Sequence, residues 1–299
     1  MSNRYRLDKQ RIRRSFDRAA PRYDEVAVLQ REVGGRMLER MELIRHDPRH
    51  ILDIGAGTGY CSEALLRRYR KAVVISADLS PAMLRVAARR APVWKRWRRQ
   101  QVFVTADMER LPFPDASVDL LFSNLTLQWC SDLQQTFGEL RRVLKPGGLL
   151  MFSTFGPDTL RELRHAWETV DDYTHVSAFA DMHDIGDQVL HGGFADPVMD
   201  VEYFTLTYRE VRELMQDLKI LGAHNATVGR QRGLTGRQRF AGMMTAYEDY
   251  RQDGLLPATY EVVYGHAWAP EHGRSQQRKA GESAVPLTEL QAAVKRRRS

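Results

Sequence analysis

Three glycines at alternate positions, Gly55, Gly57 and Gly59, follow a short apolar run, with Asp53 just before them and Asp78 and Asp107 further along. Glycines at such a bend supply positive φ and remove the Cβ where a ligand lies against the backbone. The spacing differs from the G-x-G-x-x-G of dinucleotide sites, but the physical need is similar. Asp78 ends a β-rich run, where an open α/β sheet places an acid on a ribose hydroxyl. A phosphate ligand would call for Lys or Arg beside the loop, and here the neighbourhood is acidic. The chemistry that fits is retention of a ligand bearing an ammonium, a sulfonium and a neutral nucleoside. Other chemistries find little support: no Ser/His/Asp triad signature and no metal-ligand spacing is present. Nothing basic adjoins Cys61 or Cys130 in sequence, so neither reads as a nucleophile, and two cysteines make neither a disulfide framework nor a metal quartet.

The loop needs a strand before it and a helix after it, and the pattern provides both. Residues 51–54 read as a strand and 62–66 restore helical composition. Residues 72–77 are a second strand, and Ser80 with Pro81 opens a helix over 81–90 as N-cap and first-turn proline. Residues 102–106 and 118–123 are the third and fourth strands, 133–144 a helix, Lys145-Pro146-Gly147-Gly148 the turn that stops it, and 149–155 a fifth strand. Strands separated by helices predict a parallel sheet covered on both faces. Ahead of it, Leu29, Val33, Met37 and Met41 recur every four residues, one face of an amphipathic helix within 10–45 that ends before Pro48. After a helix over 158–170, residues 198–208 and 259–268 are β-rich and enclose a mostly helical stretch, 209–251. Sequential strands usually pair, so both are expected at one sheet edge, with the insert folded over the mouth as a lid.

The chain has 299 residues, 43% hydrophobic and 28% charged, which excludes general disorder and a fibrous repeat. No run reaches the roughly 20 apolar residues of a membrane span, and the opening residues lack the apolar core of a signal peptide. A cytoplasmic, non-membrane protein is expected. The net charge of +7 is concentrated at the ends. Residues 1–22 hold eight basic residues against Asp8 and Asp17, and 270–299 hold seven against three acids, leaving the body between slightly acidic. A further cluster is Lys95, Arg96, Arg98 and Arg99. A nucleic-acid binder carries its excess on a folded face, so the pattern favours solvated ends or an acidic protein partner. From 269 the composition predicts a disordered basic tail.

The segments 53–59 (DIGAGTG), 77–84 (ADLSPAML), 106–124 (ADMERLPFPDASVDLLFSN) and 144–155 (LKPGGLLMFSTF) resemble a class I S-adenosylmethionine-dependent methyltransferase over about half the chain. The resemblance implies a Rossmann-like α/β fold with a mostly parallel seven-stranded sheet, helices on both faces and the helical lid, at about 209–256, between the last two strands. It places Gly55, Gly57 and Gly59 under the methionine moiety, Asp53 near its amino group and Asp78 on the ribose. Leu79 and Met83 fall around the adenine, with Asp107 and the Met108 backbone at its edge. Outside the core, residues 15–24 (SFDRAAPRYD) with Ala27 and Gln30, Ser123-Asn124-Leu125 with Gln128-Trp129, 160–167 (LRELRHAW), and Asp217-Leu218-Lys219 with Gly222-Ala223 are similar to the malonyl-acyl carrier protein methyltransferases of biotin synthesis. This extends the likeness to about residues 9–268 and adds Asn124 to the cofactor side. Three parts are implied: a segment 1–45 closing the cofactor site, a methyltransferase domain 46–268, and the tail. Some members carry an arginine where this chain has Ala178.

The implied reaction methylates the free carboxylate of a malonyl thioester on an acidic carrier protein, or on coenzyme A, by a monomeric enzyme that binds no nucleic acid. A carboxylate, with a pKa of about 4, is already a nucleophile at neutral pH and needs no general base. Catalysis would come from in-line orientation, worth on the order of 7–11 kcal/mol, and from a water-poor pocket. Lys219 is the candidate cation for the acceptor, Tyr23 the group closing over the methyl donor, His175 a donor to substrate and Trp129 a wall of the acceptor channel. The N-terminal arginines, the 95–99 cluster, or Arg161 with Arg164 are three candidate docking sets. The C-terminal half also resembles complex I assembly factors that hydroxylate an arginine on this fold, and a non-catalytic cofactor-binding scaffold is a third reading.

Overall fold

The computed structural model describes residues 7–92, 100–171, 173–222 and 236–271. The basic cluster Lys95, Arg96, Arg98 and Arg99, the lid residues 223–235 including Ala223, and the expected tail from 272 onward lie outside the described residues.

The core is an alternation of strand and helix. In order, β1 (His50–Ile54), α4 (Tyr60–Arg68), β2 (Val73–Asp78), α5 (Pro81–Arg90), β3 (Gln101–Thr105), β4 (Val118–Ser123), α6 (Leu133–Val143) and β5 (Leu144–Phe155) build the parallel part of the sheet. It is completed by α7 (Arg161–Glu168), α8 (Met182–His191), β6 (Ala195–Tyr208), α9 (Val211–Ile220), α10 (Arg237–Glu248) and β7 (Leu256–Trp268). The strand order is β3-β2-β1-β4-β5-β7-β6. The first five strands are parallel, and β7 inserts antiparallel between β5 and β6. The expected seven-stranded α/β sheet forms, and both late strands join at one edge. The strand order reverses beside β1, which places the crevice where such sheets bind ligands at the C-terminal ends of β1 and β4.

Period-two alternation distributes the strands between two cores. Ile51, Leu120, Leu149, Met151 and Val262 face one side, packing with Leu29, Val33 and Met37. Their neighbours Leu52, Leu121, Leu150, Phe152 and Val263 face the other, packing with Phe137, Leu140, Ile185 and Val189. Both faces are buried, so these strands read as continuous apolar runs.

Several boundaries differ from the sequence reading. The single helix expected within 10–45 is three segments, α1 (Lys9–Ala19), α2 (Tyr23–Val26) and α3 (Val28–Arg40), followed by a 3₁₀ turn, Met41–Leu43. Pro21 lacks the amide that would continue α1, and Ala27, at φ −77° and ψ 43°, breaks the chain again before α3. Lys145-Pro146-Gly147-Gly148 is not a free turn: β5 starts at Leu144, which pairs with Val118 before a register shift. The helix expected over 158–170 spans only Arg161–Glu168, entered through Leu160 at φ 54°. Helix α8 carried no clear signal. Ala269, assigned to the tail, is buried, and its amide donates to the Gly148 carbonyl at 2.8 Å.

In β7, Gly265 lies directly opposite Phe152 of β5, and a Cβ at Gly265 would strike the Phe152 ring. Overpacking of this kind costs about 1–3 kcal/mol. Gly265→Ala is therefore expected to lower the free energy of urea unfolding by that amount. An unchanged denaturation midpoint would show that Phe152 repacks freely and does not fix the β5–β7 register.

Candidate functional site

The loop after β1 is shaped by its contacts. The amides of Gly55 and Ala56 donate to the Ala77 carbonyl at 2.8 and 3.0 Å, tying the bend to the end of β2. Gly55 has φ 76° and would collide with Thr126 if it carried a Cβ. Gly57, at φ 53°, has open space on its Cβ side and lines the cavity. Gly59 caps the start of α4 in the left-handed region and packs on Ala87.

Two carboxylates lie buried around this bend. Asp78 accepts from the Gly57 amide at 2.9 Å and the Ser80 amide at 2.7 Å, and its side chain lines the cavity. Burial pushes its pKa up to about 6, against the pull of those amides. Asp53 lies deeper. It accepts from the Ser62 hydroxyl, which accepts in turn from Ser76, and burial pushes its pKa up to about 7. Asp53 is not among the residues lining the cavity, so it acts on the site as a charge beneath the loop. Because both carboxyls are raised above their unfolded values, they bind protons more tightly in the folded protein. Their favourable contribution to stability is complete below about pH 4 and is lost as pH rises through about 6 and 7. At neutral pH the fold holds negative charge that a cationic ligand relieves.

The cavity opens to solvent on one side, and with its open mouth spans about 870 Å³. Leu79, Met83, Ala106 and Met108 line an apolar slot beside Asp78, as a planar nucleobase requires. Asp107 also lines it, but its carboxylate accepts from Lys9 Nζ at 2.9 Å, and Lys9 reaches Glu109 at 2.6 Å. Asn124 lines the inner wall, accepting from Ser153 Oγ at 2.9 Å and donating to the Gln30 carbonyl at 2.8 Å. The N-terminal segment roofs the cavity and is fastened to each cofactor-side loop. Lys9 grips the loop after β3. Asp17 accepts from Ser80 Oγ at 2.7 Å and the Ala82 amide at 3.2 Å. Asp24 accepts from Thr58 Oγ1 at 2.7 Å and pairs with Arg90 at 2.8 Å. Tyr23 lines the roof. Burial, before the Asp78 and Asp24 charges, holds its phenol far above the ordinary value, so it stays a neutral hydrogen-bond donor.

A second cavity adjoins the first and shares Gln30, Gln128, Trp129, Phe155 and Leu221 with it. Trp129 therefore stands between the two, braced edge-to-face by Phe16 at 5.3 Å. Leu163, Trp167, Phe240, Tyr260 and the lid residues Met215 and Leu218 make the rest of this cavity apolar. His175 lies in its wall, stacked on Trp167 at 3.8 Å, with Nε2 2.7 Å from Asp171 Oδ1. Lys219 lines the second cavity and also the outer groove beside it, and is exposed. Ala178 lies in a neighbouring cleft with Arg164 and Tyr173, outside this cavity's wall. Sequence reasoning missed Lys9, which only folding brings to Asp107, and gave Gln30, Gln128 and Phe155 no role. Gln30 has a side-chain oxygen that is buried without a hydrogen-bond partner among the described residues. No cluster able to hold a metal ion occurs among the described residues, and no helix there is long and apolar enough to cross a membrane.

A desolvated acidic bend, an apolar slot and a buried carboxylate at the end of β2 fit a sulfonium nucleoside, and the residues present suit S-adenosylmethionine. Residues 52–152 match the family model of a methyltransferase domain. The structure resembles the YcgJ protein of Bacillus subtilis with a TM-score of 0.54 at 18% identity, covering 81% of this chain and 99% of that one, a likeness of fold. Fold and site thus define a class I S-adenosylmethionine-dependent methyltransferase. The malonyl-acyl carrier protein O-methyltransferase of Halorhodospira halophila is 58% identical over 264 residues, 88% of each chain. That of Nitrosospira multiformis is 54% identical over 276 residues, 88% of this chain and 90% of its own. The chain belongs to the malonyl-acyl carrier protein O-methyltransferase family.

Protonation of the raised carboxyls removes the charge that attracts the cofactor, so affinity is expected to fall as pH drops through about 7 and 6, well above the usual carboxylate range. Calorimetry with S-adenosylmethionine should show at least about tenfold weaker binding at about pH 5 than at about pH 8. Asp78→Asn should bind weakly at both and lose part of that dependence. Equal affinity of the native protein across the range would overturn the electrostatic role of the buried acids.

Proposed function

We propose that the chain methylates the free carboxylate of a malonyl thioester borne by an acidic acyl carrier protein, forming the methyl ester early in biotin synthesis in the cytoplasm. The observation that carries this reading is the pair of joined cavities. One is acidic and suited to a sulfonium nucleoside; the other is apolar, suited to an acyl chain, and meets the first along a wall where Gln30 and Gln128 stand beside Trp129, Phe155 and Leu221. S-adenosylmethionine, when bound, supplies an electrophilic methyl group to the acceptor oxygen.

The chain's own residues orient the acceptor, exclude water and leave the acceptor oxygen its lone pair. No base is needed, since the malonyl carboxylate is ionised at neutral pH. Aliphatic and aromatic walls keep water from the meeting point, where an anion and a cation disperse their charge. Tyr23, neutral and buried in the roof, donates a hydrogen bond near the donor side. Trp129 confines the acyl chain so that its carboxylate arrives in line. His175, held by Asp171 and Trp167, presents a fixed imidazole edge to the second cavity. Lys219, at the outer end, draws in a negatively charged acceptor.

The Gln30 amide is placed to receive the carboxylate itself. Its buried side-chain oxygen has no partner among the described residues, and it stands on the wall shared by both cavities. Amide oxygen and nitrogen exchange by a half-turn of the side chain, which presents two donor hydrogens to an anion. A neutral amide fixes one carboxylate oxygen without neutralising it, and the other keeps its nucleophilic lone pair.

Labelled S-adenosylmethionine with malonyl-carrier, succinyl-carrier and free malonate tests the activity. Label should pass selectively to the malonyl carrier. No transfer, with arginine oxidation on a partner protein instead, would replace this reading by the hydroxylase. A hydrogen bond to a charged group contributes about 1.5–3 kcal/mol, so Gln30→Leu should lower kcat/KM for the malonyl carrier roughly ten- to a hundredfold. Cofactor affinity should stay close to native; a parallel loss of cofactor binding would show that Gln30 serves the first cavity and not the acceptor.

A further inference from the structure

The outer end of the acceptor cavity opens into a groove between α1 and α9. Its walls include Ser15, Arg18 and Arg22 on the N-terminal side and Met215, Gln216 and Lys219 on the lid side. Met215 and Lys219 also line the acceptor cavity, so the two adjoin at these residues. The groove is built rather than incidental. Ser15 Oγ donates to the Gly222 carbonyl at 3.1 Å, and a Cβ on Gly222 would sit 3.4 Å from that of Ala19.

Its charge is of one sign. Among the described residues three cations line it and no carboxylate does. Of the acids nearby, Asp17 is engaged with Ser80 and the Ala82 amide and Asp217 with Tyr208, while Glu25 pairs with the groove's own Arg22 at 2.9 Å and leaves Arg18 and Lys219 as its unpaired cations among the described residues. Helical spacing puts Arg11, Arg14 and Arg18 on one stripe of α1 beside the groove, with Arg22 continuing it beyond the helix end. Among the described residues no ion pair joins Arg14, Arg18 or Lys219 to a carboxylate. The other described basic set is committed internally: Arg161 lies 3.8 Å from Asp158 and 3.6 Å from Glu162, and Arg164 donates to the Thr159 carbonyl at 3.1 Å. The cleft on the His175 side carries Glu168 and Asp171 in its wall, which would oppose an anionic partner.

The geometry points to the α1–α9 groove as the docking surface for the acidic carrier protein. Arg18 and Lys219 take the phosphodiester that links its thioester arm, and Arg14 and Arg22 face its acidic surface. The arm then runs along the face of α9 that carries Met215 and Lys219, which line both the groove and the acceptor cavity, and delivers the acyl end toward Gln30. This assignment rests on the proposed function and adds the direction of approach.

Steady-state kinetics on two acceptors tests it: malonyl-carrier protein, and malonyl-pantetheine, which lacks both the phosphodiester and the protein. Arg18→Glu, and Arg14→Glu with Arg18→Glu, should raise KM for the carrier by about tenfold or more, with kcat at saturation and kcat/KM for malonyl-pantetheine within about twofold of native. The native KM for the carrier should climb with salt, and this dependence should flatten in the double variant. Arg161→Glu, an equal change of charge elsewhere, should leave the carrier KM unchanged, and unaltered calorimetric affinity for S-adenosylmethionine reports an intact fold. Equal losses on both acceptors, or an effect of Arg161→Glu as large as that of Arg18→Glu, would overturn the groove assignment. Failure of the native protein to methylate either acceptor would instead overturn the functional reading and the groove with it.

Discussion

Burial of negative charge beneath a glycine-rich bend is the constraint on which the site depends. Asp53 and Asp78 lie where desolvation disfavours their ionised forms. The surroundings supply hydroxyls and amides rather than a lysine or arginine: Ser62 for Asp53, and the amides of Gly57 and Ser80 for Asp78. A nearby basic side chain would have relaxed both carboxyls and removed the preference for a cationic ligand. Neutral donors hold the geometry while leaving the charge available.

The roof follows from the same constraint. A water-filled crevice would screen the buried charge, so the N-terminal segments cover it, α1 fastened to the loops after β3 and β2 through Lys9 and Asp17, and α2 to the loop after β1 through Asp24. The attachments are polar and largely local to loop ends. Segment α3, by contrast, is anchored in the first core through Leu29, Val33 and Met37. Asp107 is part of this fastening through Lys9, so one carboxylate serves both the cavity wall and its closure.

The acceptor side works by contrast. Its walls are aromatic and aliphatic, its polar groups are few, and those at the junction are amides. An ionised carboxylate needs no proton removed, so a base has no task here, and a strong acid or a metal would only compete for its lone pairs. Of the titratable groups in the wall, His175 is stacked and paired with Asp171, and Lys219 stands at the outer end.

Much was legible in the chain itself. The alternation of apolar runs with helix-period segments determined the parallel sheet, and Ser80-Pro81 determined the start of α5. Alternate glycines with acids at two strand ends determined a site for a cationic nucleoside. These signals are local: propensity, periodicity and backbone sterics act over a few residues. Tertiary structure alone decided which distant groups meet. Lys9 and Asp107, Gln30 and Asn124, and Arg18 and Lys219 are far apart in sequence, and each meeting depends on how the breaks at Pro21 and Ala27 aim α1 and α3. Ionisation was also decided there. Asp53 and Asp78 are ordinary acids in the sequence, and become reluctant ones only once the sheet and the roof exclude water from them.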